Sequence, residues 1–359
     1  MRWLKPNRGP KNESMLSLEG SESERGAAAV VVAFALVGLL GFAALAVDVG
    51  AMYAEKAQLQ NGADATALAI AQDCAKGLNC TTAMANDNNR LADDNANDDS
   101  SGTFSVTQPT ANSVRVETNA QEAGSIDDSF TLFFARVLGH DTAVIHAAAE
   151  ASWGTPSKAT TLPWTVSECV FKSMLTPSQL ASLTSTGNFV GYPTDTHILL
   201  RYDENTPTYP GCAAQNGYRP GGFGWLETNS GCSTDIDLSA TVKGQPGNHF
   251  PNAKPCEALK DTILDEPALI PLFSSNTGNG DNTVYSLIGF AAFQVTGYKF
   301  SGSDEHLDAA APKCLDAKGK KDNNCRFLQG YFTRFVSLEE GMSLTGGPNY
   351  GGSVAVLSE

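Results

Sequence analysis

Residues 27–47 read AAAVVVAFALVGLLGFAALAV, with no charge, amide or proline in the run. As a helix rising about 1.5 Å per residue, the stretch reaches ~32 Å, enough to cross a hydrocarbon core of ~30 Å. Gly38 and Gly41 lie inside it, and membrane helices tolerate glycine better than soluble ones do. A cleavable export signal is the other reading of such a run. Its apolar region would be shorter, ~7–15 residues, whereas this run passes without a stop into further helical pattern. The stretch reads as a membrane span.

The flanks orient it. Residues 1–25 carry Arg2, Lys5, Arg8, Lys11 and Arg25 against four glutamates, and acidic residues count for little in the orientation rule. The basic side stays inside, so the N-terminus is expected in the cytoplasm and the bulk of the chain outside. Residues 48–53 hold no Lys or Arg, so no basic group is expected beside the outer surface. Of the 39 acidic and 24 basic residues, 35 and 19 fall beyond Val47, and the exported part carries −16 of a total of −15. An acidic chain lacks the basic footprint that phosphate neutralisation needs, which excludes a nucleic-acid binder.

The cysteines share the outer address. Cys74, Cys80, Cys169, Cys212, Cys232, Cys256, Cys314 and Cys325 all follow the span, and an oxidising compartment makes disulfides their default state. Neighbours in sequence suggest Cys74–Cys80, Cys212–Cys232 and Cys314–Cys325, leaving Cys169–Cys256. Spacing alone leaves all 105 pairings of eight cysteines open.

The expected architecture is a single-pass membrane protein: a long N-terminal helix on a small α+β module, then a β-rich, disulfide-stapled domain. Residues 1–25 form a polar tail, 26–47 the span, 48–153 the α+β module, 154–161 a linker and 162–359 the cysteine-bearing domain. Helical pattern continues past the span to a C-cap at Gly77. Met52, Leu59, Ala63, Ala67, Ile70 and Cys74 recur at helical steps, with Gln58, Asn61, Asp64 and Gln72 opposite. This stripe must be covered, either by its own domain or by a like helix in a bundle, and is read as an assembly surface. Residues 104–108 and 113–119 alternate as a hairpin, 130–138 reads as a short helix, and 142–153 as a strand. Beyond 162 the apolar stretches are 197–201, 285–300 and 330–336, with one helix at 256–264.

Catalytic constellations are missing. No HExxH, GxSxG or P-loop occurs, and the five histidines lie apart in sequence. Asp93, Asn95 and Asn97 alternate as calcium ligands do, but neither the turn glycine nor the closing glutamate of an EF-hand follows. Asp127, Ser129 and Thr131 have the spacing of a metal-dependent adhesion site without its preceding apolar strand. The runs 223–225 and 330–332 place aromatics beside glycine, and packing is their expected role. No enzyme, cofactor or metal is expected.

The quoted residues resemble a family. Glu24-Arg25-Gly26-Ala27 before the span, Val47-Asp48-Val49-Gly50 after it, then Gln58-Leu59-Gln60-Asn61-Gly62-Ala63-Asp64-Ala65 and Ala67-Leu68-Ala69, are similar to TadE/TadG-like Flp (tight adherence) pilus-assembly proteins. The resemblance is specific over residues 25–76. The cysteine-bearing part is similar to actinobacterial members through Gly222-Phe223-Gly224-Trp225 and Gly289-Phe290-Ala291. It implies a non-enzymatic component of pilus assembly, anchored in the lipid bilayer and working with other Tad proteins or like helices. Two departures go with it: Val31 stands where the pseudopilins carry a glutamate five residues after the cleavage glycine, and no adhesion motif is found. The competing expectation is a membrane-tethered exported enzyme or cell-envelope ligand-binding protein with its site in 162–359, which a concave polar pocket there would favour.

Overall fold

The computed structural model describes residues 22–86, 90–191, 196–219, 224–247, 254–301, 304–316, 318–337, 344 and 347–358. The polar tail expected over residues 1–25 lies almost wholly outside these, as do Gly222 and Phe223.

One α-helix runs from Glu22 to Ala75. It ends as the glycine signal predicts: Gly77 has φ +80°, its N–H bonds the Cys74 carbonyl, and the Leu78 N–H bonds the Asp73 carbonyl at 3.0 Å. That pair of bonds is a Schellman ending, open to glycine at little steric cost.

A five-stranded sheet packs on the C-terminal half of this helix, in the order Ser101–Thr107, Ser113–Ala120, His146–Gly154, Gly352–Ser358, Phe335–Ser337. All neighbours are antiparallel except the last pair. Along His146–Gly154 burial alternates, and Ala147, Ala149, Ala151 and Trp153 turn inward. Ala63, Ala67 and Ala71 of the helix meet them with Ile70, Val114, Val116 and Ala355. Small side chains on both surfaces let helix and sheet approach closely, and Ile70 fills the space between. Gly62 has a reason too: a Cβ there would stand 3.1 Å from the Ala92 backbone of the short helix Arg90–Asp94.

The stripe is thereby reassigned. Leu59, Ala63, Ala67 and Ile70 are at most 1 % exposed, and Met52 packs partly on Leu59, Ala120, Ile145 and Ala147. What the sequence presented as an assembly surface is the core of the chain's own module, because the sheet supplies the cover. The Thr118 hydroxyl seals it, donating to the Leu59 carbonyl at 2.9 Å.

The second sheet is built around the 18-residue strand Val284–Ser301, with Ala268–Thr277 on one side and Phe327–Thr333 on the other. Val166–Ser167 and Ile198–Arg201 extend it. Its core is aromatic: Phe171 meets Phe332 and Tyr350 edge-on, and Tyr202 meets Trp225 likewise. Two helices flank it that sequence reading passed over, Glu168–Met174 and Pro177–Thr186. The second has a capping box, Thr176 with Gln179, and a proline in its first turn, which is a readable start signal.

Three further expectations need correction. Residues 154–161 are no linker: the central strand runs to Gly154, and Lys158–Thr161 pairs with Thr234–Asp237. The 48–153 module is not closed by its own residues, since the C-terminal strand Gly352–Ser358 completes its sheet. Residues 130–138 form no helix throughout: Phe130–Thr131 pairs with Thr142–Ala143, and only Ala135–Leu138 turns as a 3-10 helix, closed by Gly139 at φ +90°.

The disulfides are Cys74–Cys80, Cys169–Cys212, Cys232–Cys256 and Cys314–Cys325. Cys212–Cys232 and Cys169–Cys256 are therefore incorrect. Helix Glu168–Met174 brings Cys169 to the 209–212 turn, and helix Lys254–Thr262 brings Cys256 to Cys232.

Candidate functional site

The site best marked by both sequence and geometry is the anchor and its junction with the head. Residues 26–47 meet nothing around most of their circumference: Val31, Phe34, Leu40 and Phe42 are all more than 60 % exposed. A helix apolar and uncovered on every side fits lipid rather than water. Ala44 is the exception, being half-covered while the other residues of 26–47 are exposed.

Four residues further on, at Asp48, the helix meets the tip of the 130–143 hairpin. Asp48, the first polar residue after the run, is buried, and its carboxylate closes on the start of the 3-10 turn. Oδ1 accepts from the Phe133 N–H at 2.9 Å, and Oδ2 accepts from Phe134 at 3.0 Å and Ala135 at 2.6 Å. Three orphan donors of a helical start are met by one acid borrowed from another helix. Burial pushes the carboxyl's pKa up, but those three N–H groups and the nearby Arg136 charge outweigh it, and the net result lies below the ordinary carboxylate range. Arg136, 88 residues downstream of Asp48, is thus a basic group beside the C-terminal end of the apolar run that the flanking sequence did not reveal.

A depressed folded pKa stabilises the clasp above the unfolded value near ~4 and releases it as pH falls through the folded one. Amide hydrogen exchange at Phe133–Ala135 is therefore expected to be slow at neutral pH. Measured against the unstructured-chain rate at the same pH, that protection should be lost as pH falls through the folded pKa, and already at pH 7 in Asp48→Ala. Exchange that ignores both changes would contradict the clasp.

The far end of the helix is fixed in a second way. Cys74–Cys80 staples its last turn to the next short helix. The Arg334 guanidinium, from the second sheet's side, donates to the Lys76 carbonyl and to the Phe189 carbonyl. A cation on the negative end of a helix is favourable, and this one joins the two halves of the head. A cavity of about 660 Å³ opens beside it, lined by Trp153, Asn188, Arg334 and Asn349 among others.

Elsewhere, chemistry is dispersed. His146 pairs with Asp128 at 2.6 Å, and His197 pairs with Asp308, which also accepts from Thr296. No group of three or more His, Cys, Asp or Glu suited to a metal occurs among the described residues. Asp93 accepts from the Ser101 N–H and Asn95 donates to the Leu91 carbonyl, so both serve their own loop. The 123–126 segment before Asp127 is a turn, with no strand to carry an adhesion site. Trp225 and Phe332 are buried, and Tyr331 lies against His197. A second cavity of about 450 Å³ is lined by Lys299, Glu305, Asp308, Lys313, Lys321 and Gln329.

Residues 26–73 match the family described as "Putative Flp pilus-assembly TadE/G-like". No curated protein and no solved structure matches the chain. The matched segment is the helix itself: the whole span, the Asp48 clasp and the stripe as far as Asp73.

Proposed function

We propose that the chain is a non-enzymatic component of Flp pilus assembly, held by one span, with its N-terminus in the cytoplasm and its disulfide-stabilised head outside the membrane. The observation that carries this reading is a coincidence of boundaries. The TadE/G-like segment covers the helix that is lipid-facing in its first half and core-forming in its second. Such a helix transmits position: the head cannot rotate or tilt without the span, because one rigid rod belongs to both. Orientation follows from the five basic residues before the span and from eight cysteines, all paired, beyond it.

With the amphipathic stripe used inside the molecule, the surface left for other Tad components within the bilayer is the exposed half, around Val31, Phe34, Gly38 and Phe42. A second reading has one observation in its favour. The cavity of about 450 Å³ in the C-terminal domain, with a mostly apolar surface and several charged residues around it, suits a small ligand of the cell envelope, and a membrane-tethered ligand-binding protein or enzyme would use it.

Surface piliation separates the two. A strain lacking the chain is expected to lose its Flp pili and to regain them with the full chain, whereas a ligand-binding protein leaves piliation intact.

A further inference from the structure

The head ends, at its membrane side, in a feature that the anchor alone does not require. In the hairpin tip, Phe133, Phe134, Val137 and Leu138 are 56 %, 46 %, 84 % and 69 % exposed. Four large apolar side chains within six residues are costly to leave in water. The segment is well ordered by its own bonds: Leu132 N–H to the Asp141 carbonyl, Gly139 N–H to Arg136, and the three Asp48 bonds. A closed, pinned turn that still presents its apolar residues outward is built for a surface.

Its position says which surface. Asp48 follows directly on the last residue of the apolar run, and its carboxylate holds the backbone N–H groups of Phe133, Phe134 and Ala135 in the tip. The apolar patch is therefore continuous with the span's outer end, where Val47, Val49 and Tyr53 are also exposed. Charge points the same way. Residues 132–140 contain Arg136 and no acid, in an exported part of net −16. A basic, aromatic-bearing tip suits the headgroup region of an anionic bilayer, where apolar side chains sink and a guanidinium meets phosphate.

We propose that residues 133–138 form a second membrane-contact element, inserting Phe133, Phe134, Val137 and Leu138 into the outer leaflet beside the span. The head is then held at two points, and its orientation over the membrane is fixed. The inference rests on the reading of residues 27–47 as a span, and the test keeps the two apart.

The full chain is reconstituted in vesicles of phosphatidylcholine and phosphatidylglycerol carrying an acyl-chain diazirine lipid, irradiated, and its lipid adducts mapped by mass spectrometry. Adducts are expected in two places, residues 27–47 and residues 133–138. Phe134→Ser with Val137→Ser, both on exposed side chains, should abolish the second set and leave the first. Adducts confined to 27–47 would overturn the tip's role and spare the span. None in 27–47 would overturn both. Protection of the tip by a second copy of the chain, seen as concentration-dependent amide exchange without lipid adducts, would also overturn it.

Discussion

Ile70→Glu is expected to unfold the membrane-proximal half of the head. Ile70 is fully buried between the helix and the five-stranded sheet, among Ala67, Val114, Val116 and Ala151. Deleting such a side chain costs ~2–5 kcal/mol, and placing a carboxylate there adds an unpaired buried charge. Against a typical domain stability of ~5–15 kcal/mol, that is most or all of it. The control, Ile70→Val, should cost only ~0.5–1.5 kcal/mol. Thermal unfolding of the purified full chain, followed by circular dichroism, checks both. If Ile70→Glu melts as the parent does and merely fails to assemble, the stripe is an interface after all and its burial under the sheet is wrong.

Removing the C-terminal strand should have an effect of similar size at a distance. Gly352–Ser358 lies between His146–Gly154 and Phe335–Ser337, with Val354 and Ala355 at most 1 % exposed. Ser152 and Ser358 hydroxyls meet at 3.1 Å across 206 residues of chain. A chain ending at residue 351 loses the burial of Val354, worth ~1.5–3 kcal/mol. It also loses a row of ladder bonds at ~0.5–1.5 kcal/mol each and opens the central strand as an edge. Limited proteolysis is expected to cut within residues 101–153 in the truncated chain and not in the intact one. A protease-resistant 48–153 fragment in the truncated chain would contradict this. The same geometry means that deleting residues 162–359 is no clean removal of a second domain, since it also takes two strands of the first sheet.

Local signals were legible in the sequence, and long-range ones were not. The span, its helical continuation and the Gly77 ending are written in consecutive residues, and the hairpin of 104–108 and 113–119 in its period of two. The pairs Cys74–Cys80 and Cys314–Cys325 close loops of 6 and 11 residues, short enough for sequence proximity to identify. Cys169–Cys212 spans 43 residues, and the placement of two helices, not spacing, decides it. The stripe was seen correctly as an apolar face in need of cover. Its cover comes partly from Ala355 near the far terminus, and nothing in residues 48–76 encodes that. The Asp48 clasp was equally hidden, because its donors are backbone N–H groups, which carry no side-chain signature.

The most direct test of the central claim is a count of surface Flp pili in a strain lacking this chain, beside the same strain given the full chain back. Loss of pili without the chain and recovery with it is the predicted result. Pili in normal number without it would contradict a role in their assembly.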